Sequence, residues 1–391
     1  MSGPLEGGLK ISLRLEGAAV RQVRIESSRP VQAARLLEGK PPETAVQAVL
    51  PALFHVCGRA HLAAAQYAIE GALGAAADDQ TVLARRVWVE AENLREHLLR
   101  VFMDWPVLMG RSPRPGPLAQ VKALTEALAA AAGRDPCRAA VHTRQLIEAV
   151  AALRGFVESE LLAGGTRAFL GIETAEGLRR WARQAATLPA AFLRWLEGRA
   201  PRGAEVLVDP LPELAAVPLR ALLDGEDWLP FVARPTWEGR CRETGPLARQ
   251  VQRPLLRDLL ESQGDGTLTA RFAARLVELA AALEGLSQPG VQGLARPPVQ
   301  AGLAAVETSR GRLVHRVLCD DERIRRYRIL APTEWNFHPE GVVSKMLRGI
   351  KAQRPEQLRG HAALVIQAVD PCVGYRLELQ TSALRETAGH A

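Results

Sequence analysis

The sequence holds no uninterrupted run of about 18 apolar residues, so it offers no candidate for a membrane-crossing helix. Its start, Met1-Ser-Gly-Pro-Leu-Glu6, lacks the basic-then-apolar profile of a secretory signal, and a cytoplasmic protein is expected. Cysteine is scarce: five thiols stand at 57, 137, 241, 319 and 372, with no CxxC pair among them. An odd set of scattered thiols argues against a disulfide framework and gives no support to a structural zinc site. Lysine is scarce too, standing only at 10, 40, 122, 345 and 351, so the net charge of +7 is almost wholly arginine. Spread evenly through an alanine-rich chain, that arginine reflects residue usage rather than a nucleic-acid groove. Neither nucleic acid nor membrane is therefore expected as a partner. The one dense run, Arg323-Ile-Arg-Arg-Tyr-Arg328, alternates basic and apolar positions as a strand with a solvated face does.

What is present is enough apolar material for a substantial core, 47% of 391 residues. Leu9, Ile11, Leu13 and Leu15 alternate, as do Val20, Val23 and Ile25 beyond Glu16-Gly17, which reads as a β-hairpin. Helical spacing runs from Glu43 to Leu73, with Pro41-Pro42 as a start signal, Gly74 as a stop and Cys57 inside or at a break near Gly58. Further helical patterns cover residues 80–104, 117–133, 136–163 and 174–197, then 246–262 and 269–286. Between 199 and 245 proline, glycine and short apolar runs predict an irregular section with short strands. A second hairpin is predicted from Leu313–Leu318 and Arg326–Leu330, followed by helices over 341–351 and 357–369. A Gly/Pro-rich loop is expected from Ser287 to Pro298, and there is no internal repeat. The fold class is α+β, helix-dominated, with small β-hairpins near both ends.

Several short segments occur in a telling order. They are Glu6-Gly-Gly-Leu-Lys-Ile11, Leu37-Glu-Gly-Lys40, Phe54-His-Val-Cys-Gly-Arg-Ala60, Ala233-Arg-Pro235 with Glu243-Thr-Gly-Pro-Leu-Ala-Arg249, Glu307-Thr-Ser-Arg-Gly311, Ala331-Pro-Thr-Glu-Trp-Asn336 and Asp370-Pro-Cys-Val-Gly-Tyr375. Singly each is weak. In this order they resemble the large subunit of nickel-iron hydrogenases, with its "EGHLRI", "RICGxC", "EVGPLAR", "EAPRG", "VPSTWN" and "DPCxxC" segments. The resemblance spans roughly residues 5 to 378 and implies a single large-subunit-like domain over 1–391.

In that family two CxxC pairs hold nickel and an Fe(CN)2CO unit, the second cysteine of each pair bridging both metals. Soft thiolates suit these metals, and four are needed because two metals share them. Here Cys57 and Cys372 keep the first positions, while Ala60 and Tyr375 occupy the bridging ones. The resemblance makes Cys57 and Cys372 candidate metal ligands; the bland reading is two small buried hydrophobes. A family histidine falls on Ala64 and another, at the maturation cleavage site, on Glu378, so the tail beyond Glu378 is expected to stay attached. The residues matching the family's cyanide-facing shell are Arg310, Pro332 and Thr333. A guanidinium and a hydroxyl are suitable donors to anionic cyanide; the bland reading is a surface arginine and a turn threonine. Glu6 matches a proton-transfer glutamate and is read as a structural carboxylate.

The pattern of loss resembles the HupK/HoxV-type hydrogenase expression/formation proteins, degenerate relatives of the large subunit. It implies a protein that is not an enzyme: a maturation scaffold that transiently holds Fe(CN)2CO, with no stable nickel. The implied partners are the maturation chaperone delivering iron and the apo-hydrogenase large subunit. Two alternatives stay open, a metal-free large-subunit mimic that binds maturation factors and a divergent catalytic hydrogenase.

Overall fold

A computed structural model describes residues 7–54, 56–133, 141–201, 206–262, 266–287, 299–320 and 322–381. Glu6, His55, Cys137, most of the 287–298 loop and the tail beyond 381 lie outside the described residues.

Strand β1 (Leu9–Glu16) pairs antiparallel with β2 (Ala19–Ser27), as the alternation predicts. Leu9, Ile11 and Leu13 face the core, while Gly17, at φ +61°, makes the tight turn. A second sheet has the order β3 (Val299–Gln300), β4 (Leu303–Thr308), β5 (Gly311–Cys319) and β6 (Ile324–Leu330), all antiparallel. The predicted hairpin is its β5–β6 half.

Around these sheets lie the helices. The longest, Asp79–Leu108, starts at Asp78, whose carboxylate accepts the Thr81 N–H at 2.8 Å. Its Trp105 packs on Phe192 and Phe272, tying together the helices Leu188–Leu196 and Gly266–Leu286. The helix Gly58–Ala72 packs on β4 and β5 and on Asp79–Leu108, which also reaches β4 through Asn93 Nδ2 on the Glu307 carbonyl at 3.2 Å. Leu118–Ala130 and Thr143–Glu160 match the patterns at 117–133 and 136–163, of which 134–140 lie outside the described residues. Late in the chain come Val342–Leu347 and Pro355–Val369.

Several expectations are corrected. The 174–197 pattern is two helices, Ala175–Gln184 and Leu188–Leu196, because the Thr187 hydroxyl caps the second by accepting the Ala190 N–H. The 246–262 pattern divides into Pro246–Gln250 and Pro254–Glu261, since Pro254 has no N–H to continue a helix. Among the described residues between 199 and 245 the elements are short helices, Ala216–Asp224 and Trp228–Ala233, and extended pairing is confined to isolated bridges at Pro210–Glu243 and Trp237–Arg240. Leu219 and Leu223, four apart, supply a buried helical stripe there. The basic run on β6 is only partly solvated: Arg323 and Arg325 are exposed, but Arg328 is buried, paired with Glu38 and stacked on Trp228 at 3.8 Å. Strand β7 (Tyr375–Thr381) has no counterpart in the sequence reading. It lies parallel to β1, from Leu9 opposite Tyr375 to Leu15 opposite Thr381.

Candidate functional site

The predicted helix over 43–73 is broken where Cys57 stands. The turn Leu50–Leu53 ends at an extended Phe54, and a new helix starts at Gly58 with Cys57 at its N-cap. Cys57 makes no side-chain cap bond, so its sulfur is directed elsewhere. Capping falls to Glu92 of the Asp79–Leu108 helix, which accepts the N–H groups of Arg59 and Ala60, each at 3.0 Å. A carboxylate there completes the helix end and meets its positive pole. Burial nevertheless pushes Glu92 up to about 7.

Arg310 sits in the turn between β4 and β5 and is 1% exposed, so the surface reading is excluded. Its Nη1 lies 3.6 Å from Cys57 Sγ, its Nη2 3.2 Å from Glu96 and its Nε 3.5 Å from Asp370. Asp370 is shared with Arg100 at 3.3 Å and Arg275 at 3.5 Å. Burial alone would raise the Asp370 carboxyl, but these arginines outweigh it and hold it below the usual range. The turn is fixed from two sides. Thr308 Oγ1 accepts the Arg310 N–H at 3.2 Å, and Asn336 Nδ2 donates to the Arg310 carbonyl at 3.1 Å while its Oδ1 accepts the Thr244 N–H. The "APTEWN" and "ETGPLAR" segments thus meet at the arginine. Next to it Gly311 has φ +133°, and a Cβ there would lie 2.4 Å from the Thr244 side chain. Burial drives the Cys57 thiol well above its ordinary pKa, and Arg310 pulls in the opposite direction.

The second thiol is held by the segment after β6. Pro332 opens the short helix Pro332–Asn336, and Thr333 Oγ1 lies 2.9 Å from Cys372 Sγ while accepting the Cys372 N–H at 3.4 Å. The adjacent Glu334 is gripped by Arg29, whose Nη1 donates to both carboxylate oxygens at 2.6 and 2.8 Å. Cys57, Cys372, Pro332, Arg29, Glu334 and His61 line one cavity of about 80 Å³. That is room for about five waters or a group of similar size. The five candidate residues therefore converge: three line the cavity, Thr333 bonds one thiol, and Arg310 bonds the other. Among the described residues, no set of three or more His, Cys, Asp or Glu side chains is arranged to hold a metal ion.

The altered positions have settled structural surroundings. Ala60 and Ala64 are fully buried in the Gly58–Ala72 helix, Tyr375 opens β7, and Glu378 pairs with Lys10 of β1 at 3.0 Å. Arg29, His61, Glu92, Glu96 and Glu334 were missed from sequence. Glu92 and Glu96 carried one available signal: two acids four apart on a long apolar helix share a face that must be paid for by partners. Arg29 carried none.

A family model described as nickel-dependent hydrogenase matches residues 268–375. The hydrogenase expression/formation protein HoxV of Cupriavidus necator is 34% identical over 379 residues, covering 92% of this chain and 93% of that protein. The corresponding protein HupK of Azotobacter vinelandii is 31% identical, covering 96% and 99%. Among solved structures, the oxidised Ni-Fe-Se hydrogenase of D. vulgaris Hildenborough superposes with a TM-score of 0.64 at 19% identity, over 92% of this chain and 95% of that chain. The reduced enzyme from Desulfomicrobium baculatum gives 0.60 at 16%, over 92% and 95%. The fold is that of the hydrogenase large subunit. No helix among the described residues is long and apolar enough to cross a membrane.

Proposed function

This chain belongs to the HoxV and HupK family of hydrogenase expression/formation proteins, and from that premise we propose that it is a non-catalytic scaffold that transiently holds an Fe(CN)2CO unit for the hydrogenase large subunit. The observation that carries the reading is the convergence of Cys57 and Cys372 on one cavity, with Ala60 and Tyr375 where the bridging thiolates of the enzyme would be. Two soft donors suffice to retain an iron that brings its own diatomic ligands, but not to share two metals. Exchangeable ligation suits a carrier, because cargo held by few protein ligands is readily passed on.

On this reading each thiol has a neighbour that helps it hold charge. Arg310 stabilises a Cys57 thiolate by a charge-assisted contact. Thr333 donates to the Cys372 sulfur, and Pro332 walls the cavity without competing for hydrogen bonds. Nickel is not part of the cargo. The partners are a maturation chaperone that delivers the iron unit and the apo-large subunit that receives it.

The protein purified after co-expression with the maturation machinery is expected to carry less than one iron per chain, with cyanide and carbonyl infrared bands and essentially no nickel. Stoichiometric nickel or hydrogen oxidation would sink the proposal. A second reading is a metal-free large-subunit mimic that binds the maturation factors. Complex formation with those factors without any iron band would support it.

A further inference from the structure

Behind the cavity lies a row of three buried polar groups that neither thiol uses. His61 Nδ1 is 3.0 Å from His315 Nε2, and His315 Nδ1 is 2.7 Å from the Tyr327 hydroxyl. His61 is 5% exposed, and His315 and Tyr327 are fully buried. The row crosses from the Gly58–Ala72 helix to β5 and then to β6. Val317 pairs with Tyr327 across the two strands, which leaves His315 and Tyr327 as diagonal neighbours on one sheet face. Phe54 stacks on the His61 ring at 3.8 Å and 7°, fixing its plane.

The protons in this row have one consistent arrangement. Tyr327 Oη has no other hydrogen-bond partner among the described residues, so its proton goes to His315 Nδ1. His315, neutral and with Nδ1 occupied as acceptor, carries its proton on Nε2 and donates it to His61 Nδ1. His61, its Nδ1 likewise accepting, carries its own proton on Nε2. The reverse order would leave a buried hydroxyl proton without an acceptor, which is the costlier state. Both rings are neutral: burial drives His315 down to about 3, and burial, His315 and Arg29 drive His61 far below its ordinary value.

We propose that His61 is a ligand-binding residue of the cavity, presenting an Nε2–H donor whose direction is set by Tyr327 through His315. The ligand it suits is a small anion or dipole with a terminal lone pair. A metal ion is the wrong partner, because Nε2 offers no lone pair in this arrangement. Resting on the scaffold reading, the acceptor is a cyanide nitrogen of the carried iron unit. His61 then grips the cargo's outer atoms while the thiols hold its metal, and Tyr327 is a positioning residue that never touches either.

The test uses the iron-free full chain labelled with 15N, its histidine ring signals assigned with His61→Gln and His315→Gln, and azide as the probe. Both rings are expected as Nε2–H tautomers, and Tyr327→Phe, which keeps the packing, should admit the Nδ1–H form at His315 and His61. Azide should shift the His61 Nε2–H signal saturably, and Tyr327→Phe should weaken that binding by roughly two- to tenfold, the worth of one net hydrogen bond. An Nδ1–H tautomer at His61 in the wild type, or azide addition that leaves the His61 signal in place, overturns the proposal. Because azide requires neither iron nor maturation factors, a protein that never carries iron would defeat the scaffold reading while leaving this result intact.

Discussion

Arg310 donates to the Cys57 sulfur at 3.6 Å across 253 residues of sequence. The same guanidinium is held by Glu96 and Asp370, so its charge is positioned before any ligand arrives. Preorganisation of this kind offsets part of the burial penalty on a Cys57 thiolate, though burial still holds the thiol well above its ordinary pKa.

Because Arg310 balances two buried carboxylates, Arg310→Leu is expected to destabilise the fold by about 3–5 kcal/mol, the range for breaking a buried ion pair. Arg310→Lys should keep most of the stability but lose the planar fork. Chemical denaturation measures the first effect. Infrared spectra of the co-expressed lysine variant measure the second, with shifted cyanide bands or reduced iron expected. A leucine variant as stable as the wild type would show that the network carries no net energy.

Cys57→Ala and Cys372→Ala are each expected to abolish iron retention, while Cys241→Ala and Cys319→Ala leave it unchanged. Thr333→Val should reduce iron content, and Thr333→Ser should restore it, because the hydroxyl that touches the Cys372 sulfur returns. Iron quantified per folded chain decides the matter, and equal retention in all six variants would refute a thiolate role.

Glu278 is held by Arg249 at 2.7 and 2.8 Å and by His97 at 2.9 Å. Burial opposes ionisation, yet these partners bring its pKa down to about 2. A depressed carboxylate stabilises the fold above its unfolded value, near 4.3, and that contribution is lost as pH falls toward about 2. Glu278→Gln should therefore cost on the order of 3 kcal/mol at pH 7. The gap to wild type should narrow as pH drops below about 4. Urea denaturation across pH tests this, and a gap that widens in acid would contradict it.

Gly311→Ala is expected to destabilise by at least about 2 kcal/mol, since φ +133° is strained for any side chain and the new methyl would strike Thr244. The same change should displace Arg310 and weaken iron retention. Gly17→Ala, at a left-handed turn with open space around it, serves as a strain-only control with a smaller loss.

The parts of the site that sequence made legible are those where local patterns and motifs coincide. Cys57 stands at a helix break beside Gly58, where the motif placed it, and Thr333 follows the proline that opens a helix. The first hairpin was legible because alternation on β1 leaves one face apolar, and the second because basic and apolar positions alternate on β6. What stayed hidden depends on long-range pairing. Arg29 meets Glu334 across most of the chain, and no local spacing announces such a contact. Strand β7 was missed because its alternation, Leu377 and Leu379 between polar neighbours, is too short to outweigh the loop signals before it. The helices at 216–233 were misread because short apolar runs flanked by proline fit strand and helix alike.

Strand β7 begins three residues after Cys372 and lies on β1, with the Leu9 N–H on the Gly374 carbonyl at 3.0 Å. Proteins open in cooperative segments, and a peripheral strand opens far more often than a packed interior. β7 is an outer strand of its sheet, so the Leu9–Gly374 bond is the peripheral anchor of the Cys372 segment, while Thr333 holds Cys372 itself. The amides that report on this edge are those of Arg376 and Glu378, which the register turns toward β1, whereas the Leu377 carbonyl points away and accepts from Arg359 at 3.3 Å.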